Sequence, residues 1–122
     1  MQCIAEERER SKFLARLVEM ETRNYYQTKK ELEKLKTIDC LPPSSASILY
    51  MERTVHAIER ALIDTGRSSD GENRLKMIHL KYWDGRLTDE GIMMRIPVGR
   101  TTFYKWRKDY VVSVGQYLGY QI

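Results

Sequence analysis

Apolar residues recur every three to four positions over residues 4–37, which is the spacing that one face of an α-helix requires. The pattern predicts a single long helix whose outer face carries charges of both signs. Its inner stripe has a heptad register with two polar interruptions, and its members are Leu14, Val18, Glu21, Tyr25, Thr28, Leu32 and Leu35. Such a stripe must be buried, either against the rest of the chain or against a second copy, and the pattern leaves both open.

A second amphipathic helix is predicted over residues 45–65, antiparallel to the first. Residues 41–43, Leu-Pro-Pro, end the first element because a residue that precedes proline avoids helical geometry. Ser44 or Ser45 can cap the second helix, and Gly66 is predicted to close it. The apolar face of this helix consists of Ile48, Met51, Val55, Ile58 and Leu62.

Residues 66–71, GRSSDG, are the least apolar stretch of the chain and are predicted to divide it into two domains. A helical hairpin for packing or oligomerisation would occupy residues 1–66, and a three-helix unit would occupy residues 67–122. The first helix of this unit is predicted over residues 72–83, with a mostly apolar surface, and Asp84-Gly85 marks its end. The predicted fold class is therefore all-α.

The stretch over residues 88–106, TDEGIMMRIPVGRTTFYKW, predicts two short helices that are joined by a tight turn. Thr88 can cap the first helix, and the two acids that follow it lie where exposed amides favour negative charge. Pro97 cannot continue that helix, and Gly99 can adopt the non-helical geometry from which the second one departs. The candidate inward positions are Ile92, Ile96, Val98, Phe103 and Trp106. This is the pattern of a helix-turn-helix, although two helices joined by a turn occur in any small helical domain.

The second of these helices is basic. Residues 100–110 contain four basic side chains against one acid, Asp109, with aromatic residues interleaved among them. In a helix-turn-helix the second helix lies in the major groove, and Lys and Arg neutralise phosphates. We therefore predict that residues 67–122 bind double-stranded DNA through Arg100, Thr101, Tyr104, Lys105, Arg107 and Lys108.

Residues 98–107, VGRTTFYKWR, resemble the turn and recognition helix of the fourth region of bacterial sigma factors. They are more closely similar to phage transcriptional regulators of the ArpU and RinA type. The spacing of Tyr104, Trp106 and Arg107, followed by Tyr110 and a terminal Tyr-Leu-Gly, is similar to that of RinA-type proteins.

The segment before the motif, residues 77–83 (MIHLKYW), resembles the helix that these regulators place ahead of their helix-turn-helix. The resemblance covers about residues 70–120 and implies a phage-type transcriptional regulator, an activator of late or packaging genes. Host RNA polymerase is then an expected partner, and a homodimer through the N-terminal helices is another. Two other functions stay open: a small terminase subunit that recognises packaging-site DNA, and a sigma-factor mimic that binds RNA polymerase.

Composition and motifs favour a binding module over an enzyme. The 122 residues carry a net charge of +4 and a pI near 9.1, which permits a polyanionic partner. The chain has no phosphate-binding loop, nucleophile elbow or metal-ligand spacing, so no catalytic residue, metal or cofactor is expected. Cys3 and Cys40 are expected to be free thiols. Without a signal peptide or an apolar run long enough to span a membrane, we expect the cytoplasm of a bacterial host.

Overall fold

The computed structural model describes residues 2–37 and 45–122, and within these ranges every regular element is helical. The predicted all-α class is thus confirmed. The elements are α1 (Gln2–Arg23), α2 (Tyr25–Lys36), α3 (Ala46–Arg67), α4 (Gly71–Ile78), a π-helical segment (His79–Asp84), α5 (Asp89–Arg95) and α6 (Arg100–Leu118). The predictions for Cys40, residues 41–43 and Ser44, and for the side chain of Cys3, lie outside the described residues.

The prediction of a single helix over residues 4–37 is wrong, because Asn24 divides it into α1 and α2. Two backbone hydrogen bonds still bridge the division, from Asn24 to Met20 at 3.1 Å and from Thr28 to Asn24 at 2.8 Å. The two helices pack on different partners: α1 lies against α6 and the π-helical segment, whereas α2 lies against α3. Asn24, with φ of −89° and ψ of 3°, departs from helical geometry between the two packing surfaces.

The stripe of the first two helices is buried within the chain. Its members Val18, Tyr25 and Leu32 are buried, and the other four are half-buried. Two ion pairs show that α2 and α3 run antiparallel. They join Lys29 to Glu59 at 3.1 Å and Lys36 to Glu52 at 3.2 Å. Of the two arrangements that the sequence leaves open, the structure therefore has the intramolecular one. The facing residues of α3 that are buried are Ile48, Val55 and Ile58.

The corner between α3 and α4 is tighter than its composition indicates. The prediction that Gly66 closes α3 is wrong, since the helix continues to Arg67. Instead, the backbones of Gly66 and Gly71 approach so closely that a Cβ atom on Gly71 would lie 2.3 Å from the Gly66 carbonyl oxygen. Asp70, with φ of 56°, turns the chain between them in a left-handed conformation that Asp tolerates better than most residues.

The helix predicted over residues 72–83 changes character at His79, where α4 gives way to the π-helical segment. The backbone amide of Gly85 donates to the carbonyl of Leu80 at 3.3 Å, a spacing of five residues. Gly85 ends the segment with φ of 70°, as the sequence predicts. Tyr82 is buried and Trp83 is half-buried, and both reach α1 from this segment.

A single cluster of buried apolar side chains extends from α1 to α6, and α6 makes its most extensive contact with α3. The division of the chain into domains at residues 66–67 stays a prediction. In the part of the chain that the structure describes, no helix combines the length and the apolar character needed to span a membrane.

The close approach of Gly66 and Gly71 predicts that Gly71→Ala lowers the free energy of unfolding by about 1–3 kcal/mol, because the new methyl group meets backbone that cannot move aside. Gly91→Ala is the matched control. Its Cβ atom would lie 3.5 Å from Leu87, an ordinary van der Waals contact, and Gly91 is in the helix α5, so this change should raise the free energy of unfolding by up to about 1 kcal/mol. Urea unfolding of both variants checks the pair, and equal stabilities would contradict the close approach.

Candidate nucleic-acid interface

The two helices predicted over residues 88–106 are α5 and α6, and a turn at residues 96–99 joins them. Thr88 caps α5 as predicted: its hydroxyl oxygen accepts a hydrogen bond from the Gly91 amide at 3.1 Å. In the turn, the amide of Val98 donates to the carbonyl of Met93 at 3.3 Å. Gly99 precedes α6 in an extended conformation, with φ of −75° and ψ of 165°.

The inward positions predicted for this unit are confirmed. Ile92 and Ile96 of the first half are buried, Phe103 and Trp106 of α6 are buried, and Val98 in the turn packs partly buried against the same core. The core therefore sets the rotation of α6 about its own axis. Residues opposite Phe103 on this helix must face solvent.

Four of the predicted DNA-binding residues form one exposed stripe along α6. Thr101, Tyr104, Lys105 and Lys108 follow the spacing of three and four residues that places side chains on a single helix face, and all four are exposed. We call these four residues the α6 stripe. Tyr104 is 37% exposed, and its ring packs edge-on against Phe103 at 5.3 Å between centroids. The stripe thus offers two hydroxyls, one aromatic face and two ammonium groups to a partner.

Arg100 lies at the start of α6 and is exposed. Its guanidinium is 3.5 Å from Glu90 on α5, with both side chains 63% exposed. An ion pair this open to water contributes little, and a stronger anion can displace it. Arg100 is therefore available beside the α6 stripe.

Asp109, the one acid between residues 100 and 110, is held away from the α6 stripe. Its carboxylate accepts a hydrogen bond from Arg74 of α4 at 3.1 Å, and the guanidinium of Arg74 lies 5.5 Å from the centre of the Trp106 ring. This contact neutralises the acid on the side of α6 that faces α4. The charge that α6 presents to solvent near its start is consequently positive.

Arg107 occupies a different environment from the other predicted site residues. It is half-buried and makes a bidentate ion pair with Glu19 of α1, with donor–acceptor distances of 3.0 and 2.6 Å. The Glu19 side chain is only 6% exposed and also accepts a hydrogen bond from the Tyr82 hydroxyl at 2.6 Å. Arg107 is not part of the exposed α6 stripe, because its guanidinium is bound by Glu19 of α1.

The charge state of this buried pair follows from its contacts. Burial raises the pKa of Glu19, but the hydrogen bonds from Arg107 and Tyr82 and the nearby positive charge outweigh it, so the pKa lies below its ordinary 4.5. The hydrogen bonds to Glu19 raise the pKa of Arg107. Burial, with the negative charge of Glu19, raises the pKa of the Tyr82 hydroxyl. Both members of the pair are therefore ionised at neutral pH.

Thr22, one turn after Glu19, extends the polar contacts between α1 and its neighbours. Its hydroxyl shares a hydrogen bond of 2.9 Å with Tyr110 of α6, and its backbone carbonyl accepts one of 2.8 Å from the Trp83 indole. Sequence reasoning placed Glu21 rather than Glu19 on the inner face and gave Thr22 no role. No sequence signal separates these positions, because Glu19 is next to Val18 and Glu21 has the heptad spacing, so only tertiary packing decides which carboxylate is buried.

Comparisons with protein-family models, with curated proteins and with solved structures return no match to this chain. The residues that the structure describes contain no group of three His, Cys, Asp or Glu side chains that could hold a metal ion.

The environment of Glu19 predicts a specific dependence of stability on pH. Because its pKa is lower in the folded protein than its ordinary 4.5, the unfolded chain takes up this proton first as the pH falls. The stabilisation is present above about pH 4.5 and is lost as the pH falls through the folded value. Glu19→Gln should cost about 2 kcal/mol of unfolding free energy near neutral pH, and this cost should shrink as the pH falls through the lowered pKa of Glu19 in the folded protein.

Chemical denaturation at a series of pH values measures the free energy of unfolding of the parent and of the Glu19→Gln variant. Glu9→Gln, a change of an exposed carboxylate on the same helix, is the control and should leave the pH dependence close to that of the parent. A cost for Glu19→Gln that stays constant across the acidic range would contradict the ionised, hydrogen-bonded state of Glu19.

Proposed function

We propose that this protein is a sequence-specific, double-stranded-DNA-binding transcriptional regulator of the phage type, in which α5, the turn and α6 act as a helix-turn-helix. The observation that carries the proposal is the α6 stripe, which is exposed and positive on a helix whose opposite face is firmly buried by Phe103 and Trp106. A recognition helix needs this combination, since a rigid core must hold the reading face outward.

Each group on this surface has a counterpart on DNA. The residues nearest the start of a recognition helix contact base edges, which here are Arg100, Thr101 and Tyr104. The Arg100 guanidinium can bond two acceptors of guanine, and Thr101 can contact a thymine methyl group. Lys105 and Lys108, further along, suit phosphate contacts. Arg107 is left out of the proposed interface because Glu19 holds its guanidinium.

The more specific parts of the proposal come from the resemblance of residues 98–107 to regulators of the ArpU and RinA type. On that basis the regulated genes are late or packaging genes, the action is activation, and host RNA polymerase is a partner. A small terminase subunit would use the same surface of α6 for packaging-site DNA. Its assembly into rings would separate it from a regulator that binds as a monomer or a dimer.

A homodimer through the N-terminal helices also belongs to the proposal, but the heptad-like stripe does not form it, because Val18, Tyr25 and Leu32 are buried within the chain. The outer face of α1 is one exposed surface that could form such a contact. It carries Phe13, 63% exposed, and Met20, 47% exposed, at a spacing of two helical turns.

The salt dependence of DNA binding tests the proposal. Each phosphate contact that is removed should lower the slope of log affinity against log salt concentration by about 0.9. Replacing Arg100, Lys105 and Lys108 together by Ala should therefore reduce the slope by about two units, for the phosphate contacts of the two lysines, and should also remove the base contact of Arg100. All three side chains are exposed, so the variant should stay folded.

The matched control removes the same charge from the other helices. Lys30 and Lys34 of α2 and Arg67 at the end of α3 are exposed, and their replacement by Ala should leave the slope unchanged apart from a small effect of net charge. Equal binding by the two triple variants, both folded, would remove the assignment of the DNA-binding surface to α6.

A further inference from the structure

An open groove with a volume of about 650 Å³ lies between α1 and α6, next to the α6 stripe. Tyr104 and Lys108 belong to the stripe and also line the groove. The opposite wall is formed by α1, which contributes Lys12 and Arg16. No pattern along the chain connects α1 with α6, because the groove exists only through the packing of the two helices.

The charge of this groove is strongly one-sided. Four cationic side chains line it, and Glu19, the acid among its described lining residues, is already occupied by Arg107. Lys12 lies 4.0 Å from Glu9, but both side chains are more than two-thirds exposed, so this contact binds Lys12 weakly. Arg16 is exposed and makes one long hydrogen bond, 3.4 Å, to the backbone carbonyl of Lys12.

The dimensions of B-DNA indicate what would lie over the groove. A helix of about 10–12 Å diameter fills a major groove that is about 12 Å wide, so a phosphate strand runs along each side of it. Helices that pack together have axes about 8–10 Å apart. With α6 in the major groove, its neighbour α1 would therefore lie above one flanking strand. The side chains of α1 on the wall that it shares with Tyr104 and Lys108 then point toward that strand.

We propose that Lys12 and Arg16 of α1 form a second DNA contact, which holds the phosphate strand that flanks the major groove occupied by α6. This inference rests on the function proposed above and adds a contact outside the helix-turn-helix. An acidic peptide is the other polyanion that a basic groove could take. DNA is favoured because the groove is continuous with the α6 stripe through Tyr104 and Lys108.

In this proposal, α1 binds the DNA backbone without sequence specificity. Lys12 and Arg16 would neutralise phosphates, which every sequence presents alike, so they should contribute equally to binding of operator and of unrelated DNA. The Glu19–Arg107 ion pair lies in the same groove and fixes α1 to α6 at this point. It would therefore set the distance between the phosphate-binding side chains and the reading face.

The test uses the full chain with the double substitution Lys12→Ala and Arg16→Ala, and a short random-sequence DNA duplex as the probe. The expected result is a salt slope that is lower by about two units, since about 0.9 is lost per phosphate contact. Lys30→Ala with Lys34→Ala, both on α2, is the control that removes the same charge and should leave the slope nearly unchanged. Thermal unfolding checks that both variants remain folded.

A parental slope for the α1 double variant, with a reduced slope for the Arg100, Lys105 and Lys108 triple variant, would overturn this inference and leave the proposed function standing. A parental slope for both would overturn both. If the α1 variant binds DNA like the parent but loses affinity for an acidic peptide such as oligoglutamate, the groove takes a protein partner and the inference is also wrong.

Discussion

The ion pair between Glu19 and Arg107 holds α6 in the orientation that the apolar core around Phe103 sets. A carboxylate that is only 6% exposed is very unfavourable without a partner, and Arg107 and Tyr82 supply the hydrogen bonds that keep it ionised. These three residues belong to α1, the π-helical segment and α6, so a single buried charge joins three elements. Once Arg107 turns toward α1, the residues on the far side of α6, Lys105 among them, have to face solvent.

This arrangement explains how the exposed face of α6 is held in place with little freedom for the helix to rotate about its axis. Phe103, buried completely, holds one side of α6, and the hydrogen bond between Tyr110 and Thr22 holds the helix further along. Side chains held by packing and by polar contacts at once are well suited to placing neighbouring groups accurately. In our proposal the same contacts between α1 and α6 also place α1 above the DNA backbone. They therefore position both the recognition helix and the side chains that bind phosphate.

Periodicity was a sound guide wherever a helix has one buried face, and it failed where tertiary packing redirects the chain. It predicted correctly that Phe103 is buried and that Tyr104 is exposed. Neighbouring side chains on a helix point about 100° apart, so the spacing of apolar residues can distinguish these two positions. It missed the division at Asn24, which follows from two different packing partners, and the approach of Gly66 to Gly71. Local patterns also could not show that Arg107 faces Glu19. Arg107 has the same side chain as the exposed Arg100, and only the tertiary contact with α1 makes its environment different.

The central claim is that the exposed face of α6 reads DNA sequence, and selection from a random duplex library tests it most directly. The mass of the bound complex should be measured on the same selected DNA. The account predicts that the parent enriches a short motif and that Thr101→Ala with Tyr104→Ala, changes on the exposed stripe, loses or alters that motif while the fold persists. If the motif consists of two half-sites one helical turn apart, and the complex contains two protein chains per duplex, the protein binds as a dimer. If the parent enriches no motif, or if the variant enriches the same one, the claim is contradicted.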